Sequence, residues 1–210
     1  MVIHGAFQTP IAEYDFEDSG AMDKGLSEYI LDIEKAEKSE GNPQFSMTGV
    51  AGYQTKDDLL LRGNPFVDEF ISRISKEIAT YWSAITNGGT LPDNTRLVSW
   101  GNIYRRGTLS VAHTHPEANM SVTYYPKIPK GMGDIDPDAK SEVAPQGAFL
   151  INDPRPAARY DSSFAVQSTV VFLPKQGSGM IFTGWVEHFA TPIYLDDTRI
   201  CISTNVLVPK

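Results

Sequence analysis

Near residue 90 the spacing of apolar residues changes from the three-and-four interval of a helix to short alternating runs. Before that point Met22, Leu26, Tyr29, Ile30, Ile33 and Ala36 line one helical face, and Gly41 and Pro43 follow as stop signals. A second helix is marked by Asn64 as N-cap and Pro65 in the first turn, with Asp68 and Glu69 at its positive end. Its apolar stripe is Phe66, Phe70, Ile71, Ile74, Ile78, Tyr81, Trp82 and Ile85, and it ends before Asn87-Gly88-Gly89. A helix pair is too small a core by itself, so residues 1–90 are expected to be a helical flank packed on the remainder of the chain.

That remainder is a series of β-rich runs at 96–104, 109–114, 120–125, 148–151, 169–173, 180–182, 189–194 and 199–208, separated by Gly, Pro, Asp and Asn. Eight short strands of this kind predict a mainly β fold with flanking helices, a sandwich or jelly roll. Residues 127–141 and 154–163 read as loops. The length of 210 residues suits one domain, with 1–90 as flank and 96–210 as core.

Composition narrows the function classes. Eighteen basic against 26 acidic residues give a net charge of −8, which repels phosphate backbones and anionic lipid and argues against nucleic-acid binding. The lone Cys201 cannot form an intramolecular disulfide, and Met1-Val2-Ile3-His4-Gly5 lacks the start of a signal peptide. No apolar run approaches the roughly 18 residues that span a bilayer. The expectation is a cytoplasmic protein. Apolar helix faces would permit a homodimer.

Of four histidines, His113 and His115 are two apart inside a β-rich run, where side chains share a face about 6.6 Å apart. Two imidazoles so placed can converge on one metal ion, and His188, before the next run, could complete a facial triangle. Two histidines and a carboxylate with open positions opposite them are the non-haem iron(II) plan. The alternative is a solvated strand with two incidental polar residues. His4 is given no site role. In the last run Arg199, Cys201, Ser203 and Asn205 share one face, and Ile200, Ile202, Thr204 and Val206 the other. An inward arginine needs an anion: either a bound carboxylate, or a structural partner such as Asp196 or Asp197.

These residues resemble the 2-oxoglutarate and iron(II)-dependent oxygenases, in particular an oxygenase family found in phages and marine bacteria. The likeness runs from Ser99 to Pro209 through Ser99-Trp100-Gly101-Asn102-Ile103-Tyr104, Gly107, His113-Thr114-His115-Pro116, Ser121 to Tyr125, Asp153-Pro154, Gly179 to His188 and Arg199 to Asn205. The resemblance implies a double-stranded β-helix barrel of the jelly-roll or cupin-like kind. It implies His113 and His188 as iron ligands, His115 in place of the usual carboxylate, and Arg199 on the distal carboxylate of 2-oxoglutarate, with Ser203 and Tyr125 beside it. No catalytic residue beyond the metal ligands is implied; Asn102 and Tyr104 stand at matching parity on the first strand of the core. The activity implied is a dioxygenase that converts 2-oxoglutarate to succinate and CO2 while oxidising, by default hydroxylating, a small-molecule or peptide substrate.

The chain departs from the pattern in having H-x-H, and His115-Pro116-Glu117 offers an H-x-E in a shifted position. Trp185, Tyr104, Phe182 and the 127–141 loop could wall the substrate side, with Arg105 and Arg106 near the mouth. Two rival readings stand beside this one. A cupin-type three-histidine metalloenzyme is favoured by Gly107 followed by His113-Thr114-His115, but Asn119 and Met120 stand where its glutamate belongs. A non-catalytic jelly-roll binding or structural module would hold no metal, or a structural zinc.

Overall fold

The alternating runs become the strands they predict. In the computed structural model, which describes residues 1–2, 8–39, 49–50, 52–133, 145–156 and 168–209, the order is β1 (Ile11–Asp15), α1 (Gly20–Ser39), β2 (Gly49–Val50), β3 (Tyr53–Gln54), a single 3-10 turn (Leu59–Leu61), α2 (Pro65–Ile85), β4 (Arg96–Tyr104), β5 (Leu109–His113), β6 (Met120–Lys127), β7 (Phe149–Asn152), β8 (Thr169–Phe172), β9 (Ser178–Thr183), β10 (His188–Ala190) and β11 (Arg199–Leu207). Each of the eight expected strands is present, as β4 to β11. His4, Gly41, Pro43 and most of the two expected loops lie outside the described residues.

Two antiparallel sheets form, a six-stranded one in the order β1-β9-β6-β11-β4-β3 and a five-stranded one in the order β2-β5-β10-β7-β8. From β4 onward the chain passes back and forth between them, which is a jelly roll. The large sheet is buried on both faces. Outward, Val122, Tyr124, Ile200, Ile202 and Val206 share a core with Met22, Leu26 and Ile30 of α1 and with Phe70, Ile74 and Ile78 of α2. Inward, Tyr104, Tyr125, Met180, Phe182 and Cys201 meet Phe149 and Ile151 of the small sheet. Most of the apolar stripe of each helix thus faces the sheet. Among the described residues no helix is long and apolar enough to cross a membrane.

Local chemistry explains the ends. The Asn64 side chain accepts hydrogen bonds from the Phe66 and Val67 amides at 2.9 and 3.4 Å, capping α2 as expected. At the start of α1, buried Asp23 accepts from the Ser19 hydroxyl at 2.9 Å and from the Tyr124 hydroxyl, tying the helix to β6. Burial pushes the Asp23 carboxyl up, against the lowering by these two bonds.

The helical reading of residues 1–90 is incomplete. β1 pairs with β9, β3 with β4 and β2 with β5, so the flank also extends both sheets. The pairing of β1 puts Tyr14 opposite Gly179, and the Tyr14 hydroxyl donates to the Thr123 carbonyl of β6 at 2.7 Å. A Cβ on Gly179 would lie 1.9 Å from that carbonyl oxygen and 2.4 Å from the tyrosine hydroxyl. Gly179→Ala is therefore expected to destabilise the protein by about 2–3 kcal/mol, as overpacking of a closed layer does; an unchanged denaturation midpoint would contradict this packing.

Candidate active site

β5 and β10 are neighbours in the small sheet, and their register pairs His113, the last residue of β5, directly with His188, the first of β10. His115 is not on the strand. It lies past the end of β5, in a turn where its amide donates to the Gly184 carbonyl at 2.7 Å and its carbonyl accepts from Ala118 at 3.0 Å. Turn geometry, and not strand parity, brings the third ring in. Nitrogens of all three rings lie within 4.8 Å of one another. The Nε2 atoms of His115 and His188 are 3.3 Å apart, and ring centroids are separated by 4.3 Å for His113 and His188 and 5.1 Å for His115 and His188.

The tautomers of two rings follow from their partners. Nδ1 of His113 lies 2.7 Å from the Val111 carbonyl and Nδ1 of His188 lies 2.9 Å from the Val186 carbonyl. A carbonyl can only accept, so the proton is on Nδ1 and the Nε2 lone pair faces the cluster. Burial, with the neighbouring His113 second, pulls His188 down to about 3 and His115 to about 4; burial also lowers His113. Three neutral imidazoles with converging lone pairs fit a divalent transition metal. Phe149 and Phe182 pack against the His188 ring at 5.3 and 4.8 Å, fixing its orientation. Glu117 is exposed on the turn and is not part of the cluster.

The histidines line one side of a cavity of about 310 Å3 between the sheets, and Arg199, Cys201 and Ser203 line it from β11, as their alternation predicts. Arg199 is 2% exposed. Its Nη1 donates to the Gly147 carbonyl at 2.9 Å, its Nε has no hydrogen-bond partner, and its guanidinium stacks 3.9 Å from the Tyr104 ring. Among the described residues it makes no ion pair: Asp196 pairs with Arg106 and Asp197 with Lys127. Neither Asp196 nor Asp197 is therefore the partner of Arg199. Tyr125 also lines the cavity, and burial, with Cys201 second, raises its phenol so that it stays protonated. The Ser203 hydroxyl accepts from the Asn102 amide at 3.1 Å, a bond that does not use its own proton. The Cys201 thiol is pushed up to about 11, chiefly by burial, and remains neutral.

Several expected mouth residues stand elsewhere. Arg105 forms two hydrogen bonds to the Glu34 carboxylate of α1 at 2.9 and 2.6 Å, and Arg106 donates to the Tyr194 carbonyl. Trp185 is exposed outside the cavity, and Phe182 belongs to the inner core. The wall is instead supplied by Trp100, Gln54 and Asp57, with the Trp100 ring 6.0 Å from that of His115. Asn102 and Tyr104 line the cavity from β4 as their parity predicts, and Trp100, which alternates with them, could have been found by the same signal. Gln54 and Asp57 sit on and beyond a two-residue strand that has no such signal.

The family model described as "Putative 2OG-Fe(II) oxygenase" matches residues 98–205, just over half of the chain, from within β4 to within β11. Solved structures share the fold at low identity. A prolyl-4-hydroxylase of Pseudomonas putida is 11% identical with a TM-score of 0.61, over 96% of this chain and 94% of that one. The viral collagen prolyl hydroxylase of Paramecium bursaria Chlorella virus-1, a 2OG complex, is 13% identical with a TM-score of 0.56, over 93% and 94%. HygX of Streptomyces hygroscopicus, with nickel and 2-oxoglutarate bound, is 9% identical with a TM-score of 0.56, over 95% and 83%. No curated protein matches the sequence.

The depressed histidines make a sign-definite prediction. A histidine of the unfolded chain takes up its proton near pH 6.5, while His115 and His188 in the fold hold out to about 4 and 3. Between those limits the unfolded state binds more protons, so these two residues contribute stability above about pH 6.5 that is lost as pH falls toward 4. In NMR titrations of metal-free protein both rings should stay neutral from pH 8 to 5; a midpoint near 6.5 for either would contradict their burial.

Proposed function

The chain belongs to the 2OG-Fe(II) oxygenase family, and from that premise we propose that His113, His115 and His188 hold the iron and that Arg199, with Ser203 and Tyr125, receives 2-oxoglutarate. The enzyme is an oxidoreductase dependent on iron(II) and 2-oxoglutarate. One observation carries the assignment of the cosubstrate end: a guanidinium 2% exposed, in the same cavity as the three imidazoles, with an unsatisfied Nε and no carboxylate partner among the described residues. A buried cation of this kind is stable only beside an anion, and a carboxylate matches its planar fork.

Each residue has a separate task. Tyr104 and the Gly147 carbonyl fix the guanidinium plane, so that its remaining donors point one way. Tyr125 and Ser203 add neutral hydroxyl donors for the same carboxylate. The three imidazoles hold the ion without adding negative charge, leaving that charge to be balanced by the diacid. When bound, the iron supplies the dioxygen chemistry that couples conversion of 2-oxoglutarate to succinate and CO2 with oxidation, by default hydroxylation, of the substrate. The inner core of Phe149, Phe182 and Met180 keeps water from this end of the cavity.

The substrate, a small molecule or a peptide, enters on the side walled by Trp100, Gln54 and Asp57. Both classes occur among proteins of this fold, in the collagen prolyl hydroxylase and in HygX with hygromycin B bound. The same reading takes residues 1–210 as one domain, with 1–90 as flank and 96–210 as catalytic core, working in the cytoplasm, where the free Cys201 thiol stays reduced. The cupin-type reading leaves Arg199 without a use, and a structural zinc would need a fourth ligand beyond the cluster of three.

Two measurements test the proposal. Arg199→Gln should weaken 2-oxoglutarate binding about 100-fold, the equivalent of about 3 kcal/mol for removing one partner of a desolvated charge pair; calorimetric titration with the same affinity as wild type would refute the role of Arg199. His115→Ala should abolish iron-dependent succinate formation and lower metal affinity, whereas Glu117→Ala should change neither. The reverse result would move the third ligand to Glu117.

A further inference from the structure

Two of the three imidazoles have a visible lock on their tautomer, and the third does not. His113 and His188 each give Nδ1 to the carbonyl two residues upstream. No such carbonyl bond is found for His115 among the described residues. Beside that ring stands Asn205, whose side chain interacts with it. Asn205 follows Arg199, Cys201 and Ser203 on the same face of β11, and its Oδ1 is buried with no hydrogen-bond partner, His115 included. An acceptor buried without a donor is costly unless a donor is supplied, and Nδ1–H is the donor His115 lacks a use for.

We propose that Asn205 is the positioning residue of the third imidazole: its Oδ1 accepts the Nδ1 proton of His115, leaving Nε2 of that ring free for the ion. The proposal rests on the reading of His115 as a metal ligand and adds the reason that a histidine outside the strand can serve as one. His115 sits on a turn, where backbone parity does not fix its ring. A side-chain amide from the neighbouring sheet does so instead, linking the metal centre to the same strand that carries Arg199. It also selects the tautomer, because an imidazole protonated on Nε2 would point a proton at His188 and exclude the cation.

The test uses the full chain, Co2+ as the probe, and 15N-detected NMR of the histidine rings. In the wild type, His115 should carry its proton on Nδ1 before and after Co2+ addition. Asn205→Ala should weaken Co2+ binding about 10- to 100-fold, the usual effect of removing an outer partner of a ligand, and should populate the Nε2–H tautomer. Asn205→Asp, which keeps the acceptor, should bind Co2+ at least as tightly as wild type; this rescue separates positioning from folding even where the alanine variant is unstable. An Nε2–H tautomer for His115 in the metal-free wild type would overturn the proposal, as would loss of affinity in Asn205→Asp or wild-type affinity in Asn205→Ala. If His115→Ala itself binds Co2+ as wild type does, the three-histidine reading fails; if it does not and Asn205→Ala is silent, only the role of Asn205 fails.

Discussion

The Arg199 guanidinium lies between two sheets, stacked on Tyr104, with one carbonyl as its protein acceptor and an unsatisfied Nε. A charge taken out of water in this way destabilises the fold unless something compensates it. The carboxylates closest in sequence are engaged elsewhere, Asp196 with Arg106 and Asp197 with Lys127. Among the described residues no carboxylate compensates it, which is the ground for the proposal that a ligand does. The rest of the architecture makes the arrangement tolerable: α1 and α2 cover the outer face of the large sheet, so β11 is dry on that side and can devote its inner face to polar groups.

The metal end obeys a complementary logic. Burial keeps the histidines neutral, two backbone carbonyls hold two of them with lone pairs turned inward, and no carboxylate joins the cluster among the described residues. In the proposed reading a site of three neutral donors would leave a divalent ion with its whole charge, and a diacid at Arg199 would carry two negative charges into the same cavity. Each end of the cavity thus needs what the other end's ligand brings. In that reading the coupling would account for H-x-H standing where an acidic residue is the more usual solution.

Much of this was legible because alternation is a local signal. The eight runs after residue 90 predicted β4 to β11, and the parity of Arg199, Cys201 and Ser203 predicted which side chains face the cavity. The cap at Asn64 and Pro65 was equally local. β1, β2 and β3 were missed because strands of five and two residues carry almost no period, and their pairing depends on sheet edges made much later in the chain. The histidines were found for a partly mistaken reason: i and i+2 spacing suggested one strand, whereas His115 reaches the site through a turn held by Gly184. Arg105 and Arg106 follow the turn after β4 and looked free, but Glu34 and Asp196, remote in sequence, take them. The stacking of Tyr104 on Arg199 and the Gly147 carbonyl beneath it are likewise tertiary facts that no spacing rule announces.

A crystal structure of the protein grown anaerobically with iron(II) and 2-oxoglutarate tests the central claim most directly. The account predicts one ion bonded to Nε2 of His113, His115 and His188, and a diacid whose distal carboxylate meets the Nε and free Nη of Arg199. An ion bound through Glu117, or a cavity in which Arg199 faces no anion, would contradict it.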